Sequence, residues 1–157
     1  MAGLLDISLG NFTEVRFGPA VGAPIPVLPT AITLGDVMSV GDISDEATIV
    51  DVQAYGQKYL KKLVGSANAA AIEIVCNYDP TDAGQIDLLA AYNSSTQRAI
   101  GIVMKAEDAS FSAADGTYNI FDALIASASV TNSFDETRTI TFSVVPTNGL
   151  GAYLPLA

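Results

Sequence analysis

IEIVCNYDPTDAGQIDLLAAY, residues 72–92, decides the fold. Ile72, Ile74, Cys76 and Tyr78 alternate with Ala71, Glu73, Val75 and Asn77, the period of a strand with one buried face. Asp79 then reads as a helix N-cap, with Pro80 at the first helical position and Asp82 as an acid in the first turn. Ile86, Leu89 and Ala90 recur at helical spacing and Leu88 widens that apolar face. Asn93-Ser94-Ser95 ends the helix, which is expected to be the only one.

Downstream the pattern returns to strands. Residues 98–105 put Ile100, Ile102 and Met104 on one face. A polar loop over 109–116 ends in the turn signal Asp115-Gly116. The segment 117–130 is long enough to need a bend or bulge. In 137–145, Ile140, Phe142 and Val144 alternate with Thr139, Thr141 and Ser143. An apolar tail over 146–157 follows.

Upstream, residues 47–55 are strand-like, with Val50 and Val52 on one face and Ile49 and Asp51 on the other. Residues 41–46 form an acidic turn, and 56–68 read as a loop carrying Lys58, Lys61, Lys62 and Gly65. Residues 30–40 are β-rich, with Ile32, Leu34, Met38 and Val40 sharing a face that Asp36 interrupts. The stretch 18–29 holds four prolines, which forbid an interior strand or helix. Its Val21, Ile25, Val27 and Leu28 make it apolar where a free linker would be polar, so it reads as an arm lying on its own domain or a neighbour's. The whole, 1–157, reads as one domain: an N-terminal segment 1–30 with the Pro-rich arm, a β-core 31–145 with the helix near 80–92, and the tail.

Half of the 157 residues are apolar and only 15% are charged. About a quarter is usual, so part of this surface is expected to be covered by partners. Seventeen acids against seven bases give a net charge of −10, and Lys58, Lys61 and Lys62 are the only basic cluster. That argues against tight nucleic-acid binding, which needs Lys and Arg to neutralise phosphates. It equally disfavours anionic membrane surfaces. Cys76 is the one cysteine, so no intrachain disulfide framework exists and a reducing cytosol suits synthesis. The start, MAGLLDISLG, lacks the basic and long apolar regions of a secretory signal. The two charge-free runs, 17–35 and 139–157, are broken by prolines and cannot make a continuous membrane-spanning helix.

Catalytic chemistry is hard to assemble from these residues. Histidine is absent, which removes the commonest general base and metal ligand. No Ser-x-x-Lys, phosphate loop or dinucleotide fingerprint occurs. Cys76 lies on the apolar face of its strand and reads as a packed thiol. Asp42, Asp45 and Glu46 lack the alternating spacing of a calcium loop and read as a solvated turn. Asp79 with Asp82 is better explained by capping than by acid–base work. Neither an enzyme nor a cofactor or metal site is expected.

The segment 77–92 resembles the strand–turn–helix of lambda-type (siphophage) major tail tube proteins, through Asp79-Pro80, Gln85 and Leu88-Leu89. Ile49-Val50-Asp51-Val52 resembles an upstream strand of that family, and 59–65 the loop after it. Residues 121–125, 133–137 and 139–144 follow in the family's order, so the likeness spans about 31–148. The Pro-rich arm has no counterpart in it, and the chain is too short for the extra immunoglobulin-like domain some of these subunits carry.

The resemblance implies a mainly β, sandwich or barrel-like tail tube fold with one short flanking helix. It implies a structural virion protein, six copies to a ring and rings stacked into the channel for DNA ejection. Assembly would occur in the host cytoplasm, with tape measure, tail tip and tail terminator proteins as partners and DNA passing without specific binding. An acidic wall suits such passage, because it repels phosphate. Asp51 and Glu73, acids on strands opposite apolar faces, are the expected channel-facing residues. Val21, Ile25, Val27, Leu28, Lys58, Lys61 and Lys62 are the expected contacts between subunits. Two other readings stay open: the tube protein of a contractile tail or type VI-like secretion system, and a monomeric β-sandwich binding module.

Overall fold

Ile72, Ile74 and Cys76 turn inward from one strand, and Ile140, Phe142 and Val144 do the same from its neighbour. All six are fully buried, and each Ile, Phe and Val side chain among them contributes about 2 kcal/mol by leaving water. The computed structural model describes residues 13–20, 32–105, 116–150 and 154–155.

The elements in order are β1 (Thr13–Pro19), β2 (Ile32–Thr33), β3 (Val37–Val40), β4 (Asp45–Val52), β5 (Lys61–Ala69), β6 (Ile72–Asn77), α1 (Ala83–Ser94), β7 (Arg98–Lys105), β8 (Gly116–Thr131), β9 (Thr139–Pro146) and β10 (Leu154–Pro155). One antiparallel sheet runs β2-β1-β7-β8-β9-β6-β3, with β10 against β8, and among the described residues β4 pairs with β5 alone. The sheet wraps a single core. Val15, Phe17, Ile100, Ile102, Phe121 and Ala123 from its first half meet the β6 and β9 residues, with Leu88 and Ala91 of α1.

The long strand β8 makes this wrapping possible. Its first half pairs with β7, from Lys105↔Gly116 to Arg98↔Ala123. Its second half pairs with β9, and a register shift between Ile125 and Ser127 marks the expected bulge.

Three expectations need correction. The helix N-cap is Asp82, not Asp79: its Oδ2 accepts from the Gln85 amide at 3.0 Å. Asp79 opens a preceding turn, accepting from Thr81 N at 2.8 Å and Thr81 Oγ1 at 2.7 Å, while Asp82 N donates to Asp79 O. Asp first and Pro second are the residues such a turn favours, so Pro80 serves the turn and not the helix. Second, the buried helix face is Gly84, Gln85, Leu88 and Ala91, and Ile86 is exposed. Gln85 holds that face inward, donating to Asn77 O at 2.7 Å and accepting from Asp79 N at 3.0 Å. Gly84 allows the close approach, since a Cβ there would lie 2.9 Å from Thr33 O. Third, the face expected over 30–40 is broken. Asp36 takes a left-handed conformation, φ 53°, separating β2 from β3, and Met38 faces solvent.

The helix does end where expected, with Ser95 left-handed at the C-cap.

Candidate assembly surface

The segment 56–68, expected as a loop, contains most of β5, and with β4 it builds a ribbon. A register shift between Ala47 and Ile49 interrupts the ladder, which is regular from Ile49↔Val64 to Val52↔Lys61. Leu63 and Val64 follow one another with no polar residue between, so no period-two pattern marks the strand. At the base, Gly41 N donates to Glu73 O at 2.6 Å and Ala70 N to Ser44 O at 3.1 Å. These bonds join β3–β4 and β5–β6 into one long hairpin. Its inner end lies in the sheet and, among the described residues, its outer end pairs only with itself.

The register gives the ribbon two faces, as the alternation of 49–52 predicts. Ile49 and Asp51 share one with Val64 and Lys62; Val50 and Val52 share the other with Leu63 and Lys61. Every residue of β4, and all of β5 but Ala69, is exposed. Val64 and Tyr59 retain three-quarters of their free surface, at 76% and 77%, and Tyr55 is fully exposed. An isolated two-stranded ribbon is marginal in water. One that is apolar on both faces, as here, calls for cover on both.

The charged residues around it carry little local chemistry. Lys62 Nζ lies 3.3 Å from Asp51 Oδ1, a solvent-exposed pair of small energetic weight. Lys58 sits 5.8 Å from the Tyr59 ring centre, at the outer range of a cation–π contact. Glu73 stands apart from Asp51. It is exposed on the side of β6 opposite Ile72 and Ile74, across from Ser143 of β9. Val21, Ile25, Val27 and Leu28 lie outside the described residues.

The face that carries Glu73 is rich in hydroxyls. Thr139, Thr141 and Ser143 of β9 lie between Asn77, Val75 and Glu73 of β6 and Thr131, Ser129 and Ser127 of β8. Its opposite face is the core. Sequence reading did not isolate this surface, although the Thr/Ser alternation of 139–143 is its signal. It also passed over Phe134, which is exposed in the turn between β8 and β9.

Cys76 is a packed thiol. Its pKa is pushed up to about 12, first by burial and then by the negative charges of Asp82 and Asp36. Among the described residues no three His, Cys, Asp or Glu side chains gather where a metal ion would bind, and no helix is long and apolar enough to cross a membrane.

Solved structures share this architecture. A chain of the SPP1 tail tube superposes with a TM-score of 0.62 at 16% identity, over 94% of this chain and 78% of that one. This is a tail tube fold. A chain from the virion of a native gene transfer agent particle gives 0.64 at 12% identity, over 94% and 99% of the two chains. One from the baseplate of the anti-feeding prophage gives 0.62 at 12% identity, over 92% and 93%. No family model matches the chain, and no curated protein matches its sequence. At this identity the superpositions show the fold alone.

Proposed function

We propose that this protein is the major subunit of a long, non-contractile phage tail tube, built as stacked six-copy rings around a channel for DNA. The observation that carries the reading is the β4–β5 ribbon, exposed at every residue but Ala69 and carrying apolar residues on both faces. In a lone molecule it is a liability; packed between copies, each face finds an apolar partner. The tail tube fold supports the same reading, because the similar chains come from assembled tails and particles. The role is structural and not enzymatic. Tape measure, tip and terminator proteins are its further partners, the virion is its site of action, and assembly takes place in the host cytoplasm.

Negative-stain micrographs of concentrated protein test this directly. Annuli or filaments of uniform width are expected. Lone globules at every concentration, with and without tail partner proteins, would overturn it.

A second reading has one observation in its favour. The similarity to a chain of the anti-feeding prophage baseplate equals that to the SPP1 tail tube. A tube enclosed by a contractile sheath would use the same ribbon. Sheath around the tube in micrographs of native particles would select that reading.

A further inference from the structure

Seven asparagines are spread along the chain, and one of them, Asn148, is followed by glycine. An asparagine side chain is open to attack by the backbone nitrogen of the next residue. That nitrogen, stripped of its proton by hydroxide, bonds to the asparagine Cγ and expels Nδ2 as ammonia. A five-membered succinimide results. Water then opens the ring at one carbonyl to give aspartate, or at the other to give isoaspartate. One water is consumed and one ammonia released, so the step needs no other reactant.

Three things must coincide: an unheld side-chain amide, an unheld nitrogen after it, and a backbone able to bring the two together. The fold denies at least one of these to the other described asparagines. Asn119 is 0% exposed and precedes the β-branched Ile120. Asn77 is fixed in the β6–β9 ladder, and the nitrogen that would attack it, Tyr78 N, donates to Arg138 O at 2.9 Å. Asn68 is extended in β5 opposite Glu46. Asn93 lies in α1, where helical geometry points the Ser94 nitrogen along the axis and away from the side chain. Asn132 is exposed, but its Oδ1 accepts from Arg138 Nε at 3.0 Å, and Ser133 puts a Cβ in the path of attack.

Asn148 meets all three conditions. It and Gly149 are exposed, and among the described residues no hydrogen bond holds the Asn148 side chain or the Gly149 amide. Gly149 has φ 78°, a region glycine enters freely, and even an added Cβ would meet nothing within 4 Å. The pair hangs between two fixed points. Thr147 donates to Asp122 O through its N at 2.9 Å and its Oγ1 at 3.1 Å, and Leu150 packs against the core.

The geometry points to Asn148 as a modification site, the position at which the folded protein spontaneously deamidates and acquires isoaspartate. Each event replaces a neutral amide by a carboxylate on a chain already at −10. The isoaspartyl linkage also adds one methylene to the backbone between anchored Thr147 and Leu150. The tail then leaves β9 through a longer, more negative joint. This chemistry belongs to the single molecule and does not depend on the tube reading.

In the test, dilute protein is held at pH 6 and pH 9, sampled over weeks and digested. Mass spectrometry maps the peptides, and an isoaspartyl methyltransferase with labelled S-adenosylmethionine counts isoaspartate. The tryptic peptide 139–157 holds Asn148 and no other asparagine or aspartate, so its label reports this site alone. Deamidation there is expected to exceed that at all other asparagines together by roughly tenfold or more, because only Asn148 precedes a glycine. It should run faster at pH 9, where more of the attacking nitrogen is deprotonated. Asn148→Gln keeps an amide but requires a six-membered ring, and its peptide should take up almost no methyl. A sample unfolded in urea gives the unprotected rate. Asn148 in the folded protein should react within about tenfold of that rate, while Asn132 should react only after unfolding. A folded rate at Asn148 slower than this, or no faster than that at Asn132, would overturn the assignment. So would label in peptide 139–157 that Asn148→Gln leaves unchanged.

Discussion

Gln85 and Asn77 are joined by a 2.7 Å hydrogen bond from the Gln85 side-chain amide to the Asn77 carbonyl oxygen, which ties α1 to the end of β6. The same side chain accepts from Asp79 N, and it is 1% exposed. A leucine would fit the volume but leave a donor and an acceptor unsatisfied near the core. Gln85→Leu should therefore lower stability by about 2–3 kcal/mol, read as a lower urea midpoint at unchanged m-value.

The corrected cap gives a second prediction. Asp82→Ala removes the bond to Gln85 N and should cost about 1 kcal/mol. Gly84→Ala should also destabilise, against the gain in helix propensity of about 1 kcal/mol, because the new Cβ meets the Thr33 carbonyl and Leu34 Cα. Thermal unfolding of both variants checks the signs. A stabilised Gly84→Ala protein would contradict the close packing of α1 on the β2 region.

Asp79 makes the turn sensitive to acid. Its hydrogen bonds to the Thr81 side chain and backbone hold its carboxyl below the ordinary 3.8. The folded state thus favours the ionised form. The contribution is complete above pH 3.8 and is lost as pH falls through the lowered native value. Asp79→Asn should be less stable than the parent at pH 7 and converge on it in acid. Urea midpoints from pH 7 down to pH 2 measure the convergence.

Cys76 behaves in the opposite sense. Its thiol is favoured in the neutral form, so its contribution is intact below 9.0 and is lost as pH rises towards 12. At pH 8 the native protein should resist alkylation, and labelling should follow the global unfolding rate. Rapid labelling of the folded chain would show that the β6–β9 core opens locally.

How much of this was legible in the sequence depended on which strands had a core to face. Residues 72–77 and 139–146 alternate cleanly because one side packs inward, and both strands appear where the pattern places them. The bulge in β8 was legible from length alone. The helix was placed correctly but rotated, since its buried face includes Gln85 and Gly84, a polar residue and a glycine that hydropathy discards. β5 was hidden for a different reason: neither of its faces meets this chain's own core, so selection for burial within one molecule left no alternating pattern. Asp51 and Glu73 looked alike as acids opposite apolar residues, and only the structure separates an acid paired with Lys62 from one set among hydroxyls.

That separation makes Glu73 the residue through which to probe the channel. If β6 lines it, Glu73→Lys exchanges one carboxylate for one ammonium in every subunit, turning each ring from a weak repeller of phosphate into a row of cations. Glu73 is exposed, so the monomer should lose no more than about 0.5 kcal/mol. Tubes should still assemble. Particles carrying the variant should release DNA more slowly, with the delay greatest at low salt and shrinking as salt rises, because counterions compete for the new charges. Asp51→Lys supplies the contrast. It meets Lys62 on the ribbon, where the expected defect is in assembly and not in ejection. Dye-monitored release across a salt series distinguishes the two. Equal, salt-independent ejection from Glu73→Lys and parent particles would move the channel wall away from β6.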